Sequence, residues 1–285
     1  MSPTLRAGLW MVGAIAAFIS MAIAGREVSA THDTFEIMFY RSVIGLLLVL
    51  GYATALRRLH DIRRNRLGLH FLRNIAHFAG QNLWFFALTA IPLAQVFALE
   101  FTAPVWVILL SPLMLGERLT RTGLVAAALG FAGILIVARP DMGHLSPGVI
   151  AAGLCAVGFA LSAIMTKQLT RTETVIGILF WLCLMQMGFG LVMAGYDGDL
   201  AWPTAASLPW LGIIGLAGIV AHLCLTTALS IAPASAVMPM DFIRLPAIVA
   251  VGAWLYAEPV DPWVLAGAAL ILSGNYINLR TRSRA

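Results

Sequence analysis

The stretch ALTAIPLAQVFALEFTAPVWVILLSPLMLGERL, from Ala87 to Leu119, decides the fold because it returns in altered form 141 positions later. The second copy, ALSIAPASAVMPMDFIRLPAIVAVGAWLYAEPV, runs from Ala228 to Val260 without a gap. At this shift Glu100 falls opposite Asp241, so each copy carries one acid inside an apolar run. An ionisable group is expensive in such a run, and both acids are therefore candidates for a functional site.

The same register extends beyond this stretch. Upstream it pairs Phe18 with Phe159, and downstream it pairs Gly133 with Gly274. The chain therefore consists of two copies of one unit, which we place at 1–143 and 144–285.

The composition predicts an all-α membrane protein. Hydrophobic residues make up 60% of the chain and charged residues only 11%, against about a quarter charged in soluble domains. Apolar blocks of roughly 20 residues are long enough to cross the bilayer as helices. Ten such blocks centre near residues 16, 45, 79, 104, 130, 157, 185, 219, 244 and 270. We expect ten transmembrane helices in a lipid bilayer, arranged as five plus five.

The placement of the basic residues predicts the orientation. Most of the 18 lie in the connections that share a side with the two termini, such as the cluster within 57–66. Positive charge accumulates on the cytoplasmic side, so both termini are expected there. The net charge of +5 is thus a topology signal and gives no indication of nucleic-acid binding. Lysine occurs only at Lys167; this arginine bias favours a GC-rich bacterial genome and hence the bacterial cytoplasmic (inner) membrane.

The three cysteines, Cys155, Cys183 and Cys224, all fall inside predicted spans. They match no metal-ligand spacing and indicate no disulfide framework. We expect neither a metal nor another cofactor.

The first apolar segment, 8–24, has two interpretations. A basic start and the small residues near Ala24 are typical of a signal peptide. The segment is longer than most signal cores and has a counterpart in the second copy, so we expect it to remain as the first transmembrane helix.

A polar face runs along the predicted helix 68–90. Arg73, His77, Gln81 and Trp84 are spaced so that they share one side of the helix. Polar groups facing hydrocarbon would lack partners, so this side faces either a cavity or a neighbouring helix that it only holds in place. We favour the cavity. His222 falls opposite Gln81 at the shift of 141 and is a weaker candidate, since a single histidine is more often structural.

Each copy also has a proline positioned to break a helix. Pro104 lies in the predicted helix 93–115 and Pro246 in the predicted helix 233–255. A proline donates no hydrogen bond to the carbonyl four residues earlier, which for Pro104 is that of Glu100. A carboxylate and a released carbonyl are then expected at one level of the membrane.

The buried charges allow three roles. Glu100 and Asp241 are suited to binding a cationic group, to carrying a coupling proton, or to a permanent ion pair with arginine. Asp241 and Arg244 are three residues apart on one helix face, which favours a simple ion pair for them. Arg41 and Arg73 lie nearer the ends of their helices and are able to snorkel to the interface.

Aromatic residues near the acids have two interpretations as well. Trp84, Phe97, Phe101 and Trp106 are candidates for an apolar or cation–π wall of a cavity, and equally for lipid-facing positions.

The repeat predicts a function. Five helices per copy is an odd number, so the second copy enters the membrane from the opposite side and the repeats are inverted. Inverted repeats with sites at broken helices are typical of secondary transporters. Acids and arginines from both copies suit a zwitterionic or amphipathic metabolite, such as an amino acid or a derivative. Two other classes stay open: an intramembrane enzyme, although no nucleophile or metal motif is present, and a channel or structural subunit.

The chain also resembles the EamA family of the drug/metabolite transporter superfamily. The residues that carry the resemblance lie in both copies: Phe39-Tyr40-Arg41, Ile91-Pro92-Leu93-Ala94, Phe101-Thr102-Ala103-Pro104, Leu115-Gly116-Glu117-Arg118, Ala128 to Gly133, Ala232-Pro233-Ala234-Ser235, Arg244-Leu245-Pro246 and Gly267 to Leu270. The resemblance implies a ten-helix carrier of inverted repeats that works by alternating access around a central cavity. Many relatives carry an acid at the position of Gln95, which adds this residue to the candidates.

The resemblance leaves the cargo open. Similar proteins move amino acids, S-adenosylmethionine, riboflavin, amines or carboxylates, inward or outward. We expect a small-molecule substrate, with protons as a candidate coupling ion, no nucleic acid, and a monomer or weak dimer. The alternative is a facilitative exchanger or exporter of an organic cation or drug-like compound.

Overall fold

The chain folds almost entirely into α-helices in a computed structural model that describes residues 3–117, 120–138, 146–196, 198 and 200–282. Within these residues there are twelve α-helices and no strand. Their bounds are α1 Pro3–Val28, α2 Thr34–Ala55, α3 Leu67–Ala90, α4 Leu93–Glu100, α5 Ala103–Leu115, α6 Arg121–Ala138, α7 Pro147–Leu169, α8 Val175–Ala194, α9 Leu208–Ile231, α10 Ala234–Val237, α11 Arg244–Tyr256 and α12 Pro262–Arg282. Two 3₁₀ segments, Leu59–Asp61 and Met238–Ile243, join them. The predicted boundary between 143 and 144 lies outside the described residues.

Local sequence signals set several helix starts. Asp33 caps α2: its Oδ1 accepts hydrogen bonds from the amides of Phe35 and Glu36, and the amide of Asp33 donates to Oε2 of Glu36. This reciprocal pair satisfies amides that have no partner inside the helix. Ser146 caps α7, and Pro147 follows at its first position, where a proline is well tolerated.

The two helices expected to be broken by Pro104 and Pro246 are both broken, but the breaks do not lie at the prolines. The helix expected over 93–115 ends at Glu100 and restarts at Ala103. The helix expected over 233–255 becomes α10, the 3₁₀ segment Met238–Ile243 and α11. Pro104 and Pro246 lie in the first turns of α5 and α11, where a missing amide proton costs little. The breaks therefore precede the prolines.

Helix bounds repeat along the chain at the shift that relates the two sequence copies. α3 and α9 begin and end 141 residues apart, and so do α5 and α11. The packing follows the same relation. α1 packs mainly on α9 and α3 on α7, while α2 packs on its counterpart α8 and α6 on its counterpart α12. Equivalent helices therefore have equivalent neighbours.

Glycine permits the closest of these helix contacts. A Cβ atom at Gly133 in α6 would lie 2.6 Å from the carbonyl oxygen of Gly267 in α12. Its counterpart Gly274 would place a Cβ 3.0 Å from the carbonyl oxygen of Ala126. The backbones of α6 and α12 thus approach each other where side chains are absent, as is common in membrane helices.

The distribution of polarity is that of a membrane protein. Large apolar side chains such as Leu113 and Trp254, both 85% exposed, cover the outside. Charged and amide side chains of α3, α8 and α11 are buried inside, among them Arg73, Gln186 and Arg244. In the part of the chain that the structure describes, six stretches, counting α4 and α5 as one, are long and apolar enough to cross a bilayer, and three shorter apolar helices accompany them. The chain is therefore a multi-pass helical membrane protein.

Candidate functional site

A cavity lies at the two broken helices. Its empty space is about 800 Å³, a volume that includes solvent at its opening. Side chains from α1, α3, α7 and α9 complete its wall. Ten predicted residues line it: Arg73, His77, Gln81, Trp84, Glu100, Phe101, Pro104, His222, Asp241 and Arg244. The structure therefore brings most of the predicted site residues together in what we call the central cavity.

Arg244 joins the two acids. Its Nη2 donates to Oε1 of Glu100 at 2.6 Å and to Oδ2 of Asp241 at 2.6 Å. All three side chains are buried. The ion pair predicted between Asp241 and Arg244 is thus present, but Arg244 also reaches an acid in the other half of the chain. With both carboxylates ionised, the cluster carries a net negative charge.

Trp84 completes the coordination of Glu100. Its indole Nε1 donates to Oε2 of Glu100 at 2.7 Å, so both oxygens of this carboxylate accept a hydrogen bond. Asp241 Oδ1 and Arg244 Nε, by contrast, are buried without a hydrogen-bond partner in the described structure. Unsatisfied polar atoms of this kind are costly and are expected where a ligand binds.

Three aromatic rings surround the Arg244 guanidinium. Its central carbon lies 4.8 Å from the ring centre of Phe18, 4.9 Å from that of Phe97 and 5.2 Å from that of Phe101. Each distance is within the range of a cation–π interaction. The rings lower the cost of burying the charge and give the cavity an apolar side.

Two histidines stand together in the same cavity. The ring centres of His77 and His222 are 4.8 Å apart with the rings nearly perpendicular. The Nε2 atom of each, and Oε1 of Gln81, are buried without a hydrogen-bond partner in the described structure. These groups add hydrogen-bonding capacity for a ligand between the ends of the cavity.

Arg73 lies at the other end of the cavity. It is eleven residues before Trp84 on α3, which is about 16 Å along a helix. Its Nε donates to Thr166 Oγ1 at 3.1 Å and its Nη1 to Asn74 Oδ1 at 3.4 Å. No carboxylate of the described residues lies within 4.0 Å of this guanidinium. The cavity is therefore positive at one end and negative at the other.

Five predicted residues do not line the central cavity. One of them, Phe97, is buried beside it and packs against the Arg244 guanidinium. Arg41 is buried but lines a separate, smaller cavity, so it does not reach the lipid interface as considered above. Gln95 is partly buried and is not among the residues that line the central cavity, and Pro246 is exposed. Trp106 is 37% exposed on α5 and faces outward, so it does not form part of the wall.

The sequence did not single out several lining residues. Ser162 and Thr166 of α7 add hydroxyl groups near Arg73, and Phe159 closes the wall beside His77. A signal for one of them exists, because the shift of 141 pairs Phe159 with Phe18 and both line the cavity. The small hydroxyl residues carry no comparable signal, because they occur throughout membrane helices as packing residues.

Comparison with known proteins identifies relatives along the whole chain. The model of the EamA-like transporter family matches residues 5–139 and again 146–280. The chain is 33% identical to a riboflavin transporter of Rhizobium johnstonii, over 97% of this chain and 91% of that protein. It is 30% identical to a riboflavin transporter of Brucella anthropi, over 96% and 98%. An S-adenosylmethionine uptake transporter of Rickettsia conorii is 22% identical, over 92% and 88%.

A solved crystal structure has the same fold. It superposes with a TM-score of 0.77 and covers 98% of each chain, at 18% sequence identity. At that identity the likeness concerns the fold alone.

Proposed function

This chain belongs to the EamA-like transporter family, and we propose that it is a secondary transporter that moves a small organic metabolite by alternating access. Its activity is transport and not an enzymatic reaction, as for its named relatives. The observation that carries the proposal is the hydrogen-bonded ion pair of Arg244 and Glu100 inside the central cavity. Each partner comes from a broken helix of a different half, and transporter sites are typically built in this way.

In the proposed topology the chain crosses the membrane ten times. α4 with α5 forms one broken span, and α10 with α11 forms another. Residues 1–143 and 144–285 are then two repeats of five spans each, inverted because five is odd. The equivalent helix bounds, the equivalent packing and the two matches of the family model support this arrangement.

We place both termini in the cytoplasm of a bacterial cell and the spans in its cytoplasmic membrane. The basic connection between α2 and α3 supports this orientation, since it carries the cluster within 57–66. In this orientation α1 ends at the outer face.

The outer side is closed by an ion pair. Nη1 of Arg26, near the end of α1, donates to Oε1 of Glu258, which follows α11. Both carboxylate oxygens of Glu258 also accept from the amide of Leu93 at 3.2 Å, at the start of α4. The shift of 141 pairs Arg26 with Lys167, whose Nζ donates to the carbonyls of Leu229 and Ala232 instead. The shift also pairs Glu258 with Glu117. We infer that the outer contact opens when Lys167 forms the equivalent inner contact with Glu117.

The two charged ends of the cavity favour a zwitterionic substrate. An anionic group suits the Arg73 end and a cationic group suits the acidic end, where Phe18 and Phe101, the rings beside Arg244, offer contact to an apolar part of the substrate. An amino acid or a derivative has these features. S-adenosylmethionine, the cargo named for the Rickettsia relative, is such a derivative and is our first candidate.

Riboflavin is the second candidate because the two relatives at 33% and 30% identity are named for it. Its flat ring system suits the aromatic wall. An organic cation without an anionic group would leave Arg73 without a counter-charge, and we rank it lower. Proton coupling through Glu100 or Asp241 is part of the proposal, since a proton is able to replace the guanidinium as their partner.

Counterflow in proteoliposomes tests the proposal. Vesicles loaded with unlabelled S-adenosylmethionine or riboflavin are diluted into the same labelled compound. A carrier accumulates label transiently, because efflux drives uptake through the same site, whereas a channel shows no such overshoot. Matched vesicles carrying Arg244→Ala, which removes the arginine shared by the two acids, are the control. Equal label uptake by protein-free and protein-containing vesicles, for these and a wider metabolite panel, would contradict the proposal.

A further inference from the structure

We propose that the small cavity beside Arg41 binds a small inorganic anion of the chloride class. This side cavity has about 210 Å³ of empty space, a volume that includes solvent at its opening. Arg41, Ser42, Cys183, Gln186 and Gly218 are among its lining residues. None of its lining residues lines the central cavity. The side cavity is therefore a separate site, and the proposal does not depend on the identity of the transported metabolite.

The buried Arg41 guanidinium has no carboxylate partner among the described residues. The residue is only 5% exposed, and its Nε is buried without a hydrogen-bond partner in the described structure. Among the described residues the guanidinium makes one hydrogen bond, from Nη1 to the thioether sulfur of Met38 at 3.9 Å. No carboxylate among the described residues lies within 4.0 Å. A buried charge is costly unless it is paired, so a mobile anion is the natural partner.

The fold makes room for this guanidinium. A Cβ atom at Gly218 of α9 would lie 2.5 Å from Arg41 Nε and 3.1 Å from its Nη2. Arg41 therefore occupies the space of a missing side chain and is held against α9. Its position is fixed by packing, although nothing polar in the described structure neutralises it.

The neighbouring groups favour a simple ion over a polyatomic ligand. Ser42 already donates its hydroxyl to the carbonyl of Met38 at 2.6 Å. Gln186 uses its amide nitrogen on Asn74, at 2.8 Å to the carbonyl oxygen and 3.0 Å to Oδ1. Few directed donors remain to orient a carboxylate or phosphate ester. A spherical anion needs only charge and a small space, and the side cavity provides both.

The side cavity lies between a helix of the first half, α2, and its counterpart in the second half, α8. The shift of 141 pairs Arg41 with Leu182 and Ser42 with Cys183, and all four residues line the side cavity. The cavity thus lies where α2 packs on its own counterpart α8. An anion bound there neutralises Arg41 and strengthens the contact between the halves.

Thermal unfolding of the purified full-length protein tests this site. Unfolding midpoints are measured in sodium chloride, sodium bromide and sodium gluconate at equal sodium concentration, so that ionic strength is constant. A ligand that binds only the folded state raises the midpoint. We expect a saturable rise of about 3 °C or more in chloride and bromide at a tenfold excess over Kd, and none in gluconate.

Variants assign the effect to Arg41. Arg41→Met, which keeps the length of the side chain without its charge, should lose the rise in chloride. Arg171→Met is the matched control, because that arginine binds the carbonyl of Leu115 away from the side cavity and the rise should persist. An equal midpoint of the unaltered protein in chloride and gluconate, or an equal rise in Arg41→Met, would overturn the proposal.

A second measurement covers the case in which Arg41→Met does not fold. Crystals of the unaltered protein grown in sodium bromide should show an anomalous bromine peak beside the Arg41 guanidinium. Saturating bromide without a peak there would overturn the site.

Discussion

Arg244 and Glu100 belong to different halves of the chain, yet Nη2 of the arginine lies 2.6 Å from Oε1 of the acid inside the central cavity. Separating such a pair leaves an uncompensated buried charge, at a cost of about 3–5 kcal/mol. A conformational change that moves the two broken helices apart therefore needs a substituting partner. Substrate and protons are the available ones.

Glu100→Gln should impair transport while leaving the fold intact. The amide retains an acceptor for Trp84 but loses the charge that binds Arg244, which keeps Asp241 as its partner. We expect initial rates of counterflow to fall about tenfold or to lose their pH dependence between about pH 5 and pH 8. Thermal unfolding serves as the control for folding. Unchanged rates throughout that pH range would remove Glu100 from the mechanism.

Arg73→Gln should distinguish the two candidate substrates. A charge-assisted hydrogen bond contributes about 1.5–3 kcal/mol, so the KM for a substrate with a carboxylate should rise about tenfold or more. Riboflavin has no carboxylate, and its KM should change little. The ratio of the two KM values is the measurement, because loss of the bond to Thr166 affects both substrates alike. Arg73→Lys should restore part of the preference; an unchanged ratio in Arg73→Gln argues against an anionic group at this end.

Glu258→Gln should weaken closure of the outer side. The change removes the charge that holds Arg26 and weakens acceptance from the Leu93 amide. In a background without Cys155, Cys183 and Cys224, a cysteine introduced at the cavity residue Ser162 should react several-fold faster with a membrane-impermeant thiol reagent added from outside.

Glu27→Gln is the matched control for this experiment. Glu27 is a nearby acid that accepts from the Tyr256 hydroxyl at 3.1 Å and makes no contact with Leu93 in the described structure. In the Glu27→Gln variant, the cysteine at position 162 should react at nearly the same rate as in the protein with Glu27 and Glu258 intact. Equal acceleration by both variants would show that general loosening of the outer face is responsible.

Gly133→Ala should destabilise the contact between α6 and α12. The added Cβ would lie 2.6 Å from a backbone oxygen of Gly267, which no side-chain rotation relieves. We expect a loss of about 1–3 kcal/mol in the free energy of unfolding. Gly188→Ala in α8 is the control, since its Cβ meets nothing within 4 Å and alanine favours helix. Unfolding in denaturant measures both; a Gly133→Ala protein as stable as the control would contradict the close contact.

Patterns along the chain predicted much of this structure. The ungapped shift of 141 indicated a duplicated sequence, and α3 and α9 have matching bounds because duplicated sequences have the same local preferences. The spacing of Arg73, His77, Gln81 and Trp84 predicted a shared face, and all four line the central cavity. Helical periodicity is sufficient for the shared face, and the duplication is sufficient for the matching bounds.

Contacts between distant segments were beyond such patterns. The pair Asp241 and Arg244 is local and was considered, whereas the bond from Arg244 to Glu100 joins residues 144 positions apart. Periodicity predicts which residues share a face of a helix, but not which helix packs against that face. For this reason the sequence does not predict that Arg41 lines a cavity of its own. The positions of the two helix breaks, which precede Pro104 and Pro246, were not predictable either. A proline removes one backbone hydrogen bond, but it does not determine where the preceding helical turn ends.

The short helix α4 has a mechanical consequence. Its first amide, at Leu93, donates to Glu258 at the proposed outer closure, and its last residue is Glu100 in the charged cluster. Eight residues of helix form a rod of about 12 Å. A rigid helix of two turns transmits displacement from one end to the other. A ligand that displaces the Glu100 carboxylate therefore also strains the hydrogen bonds between Leu93 and Glu258 at the opposite end.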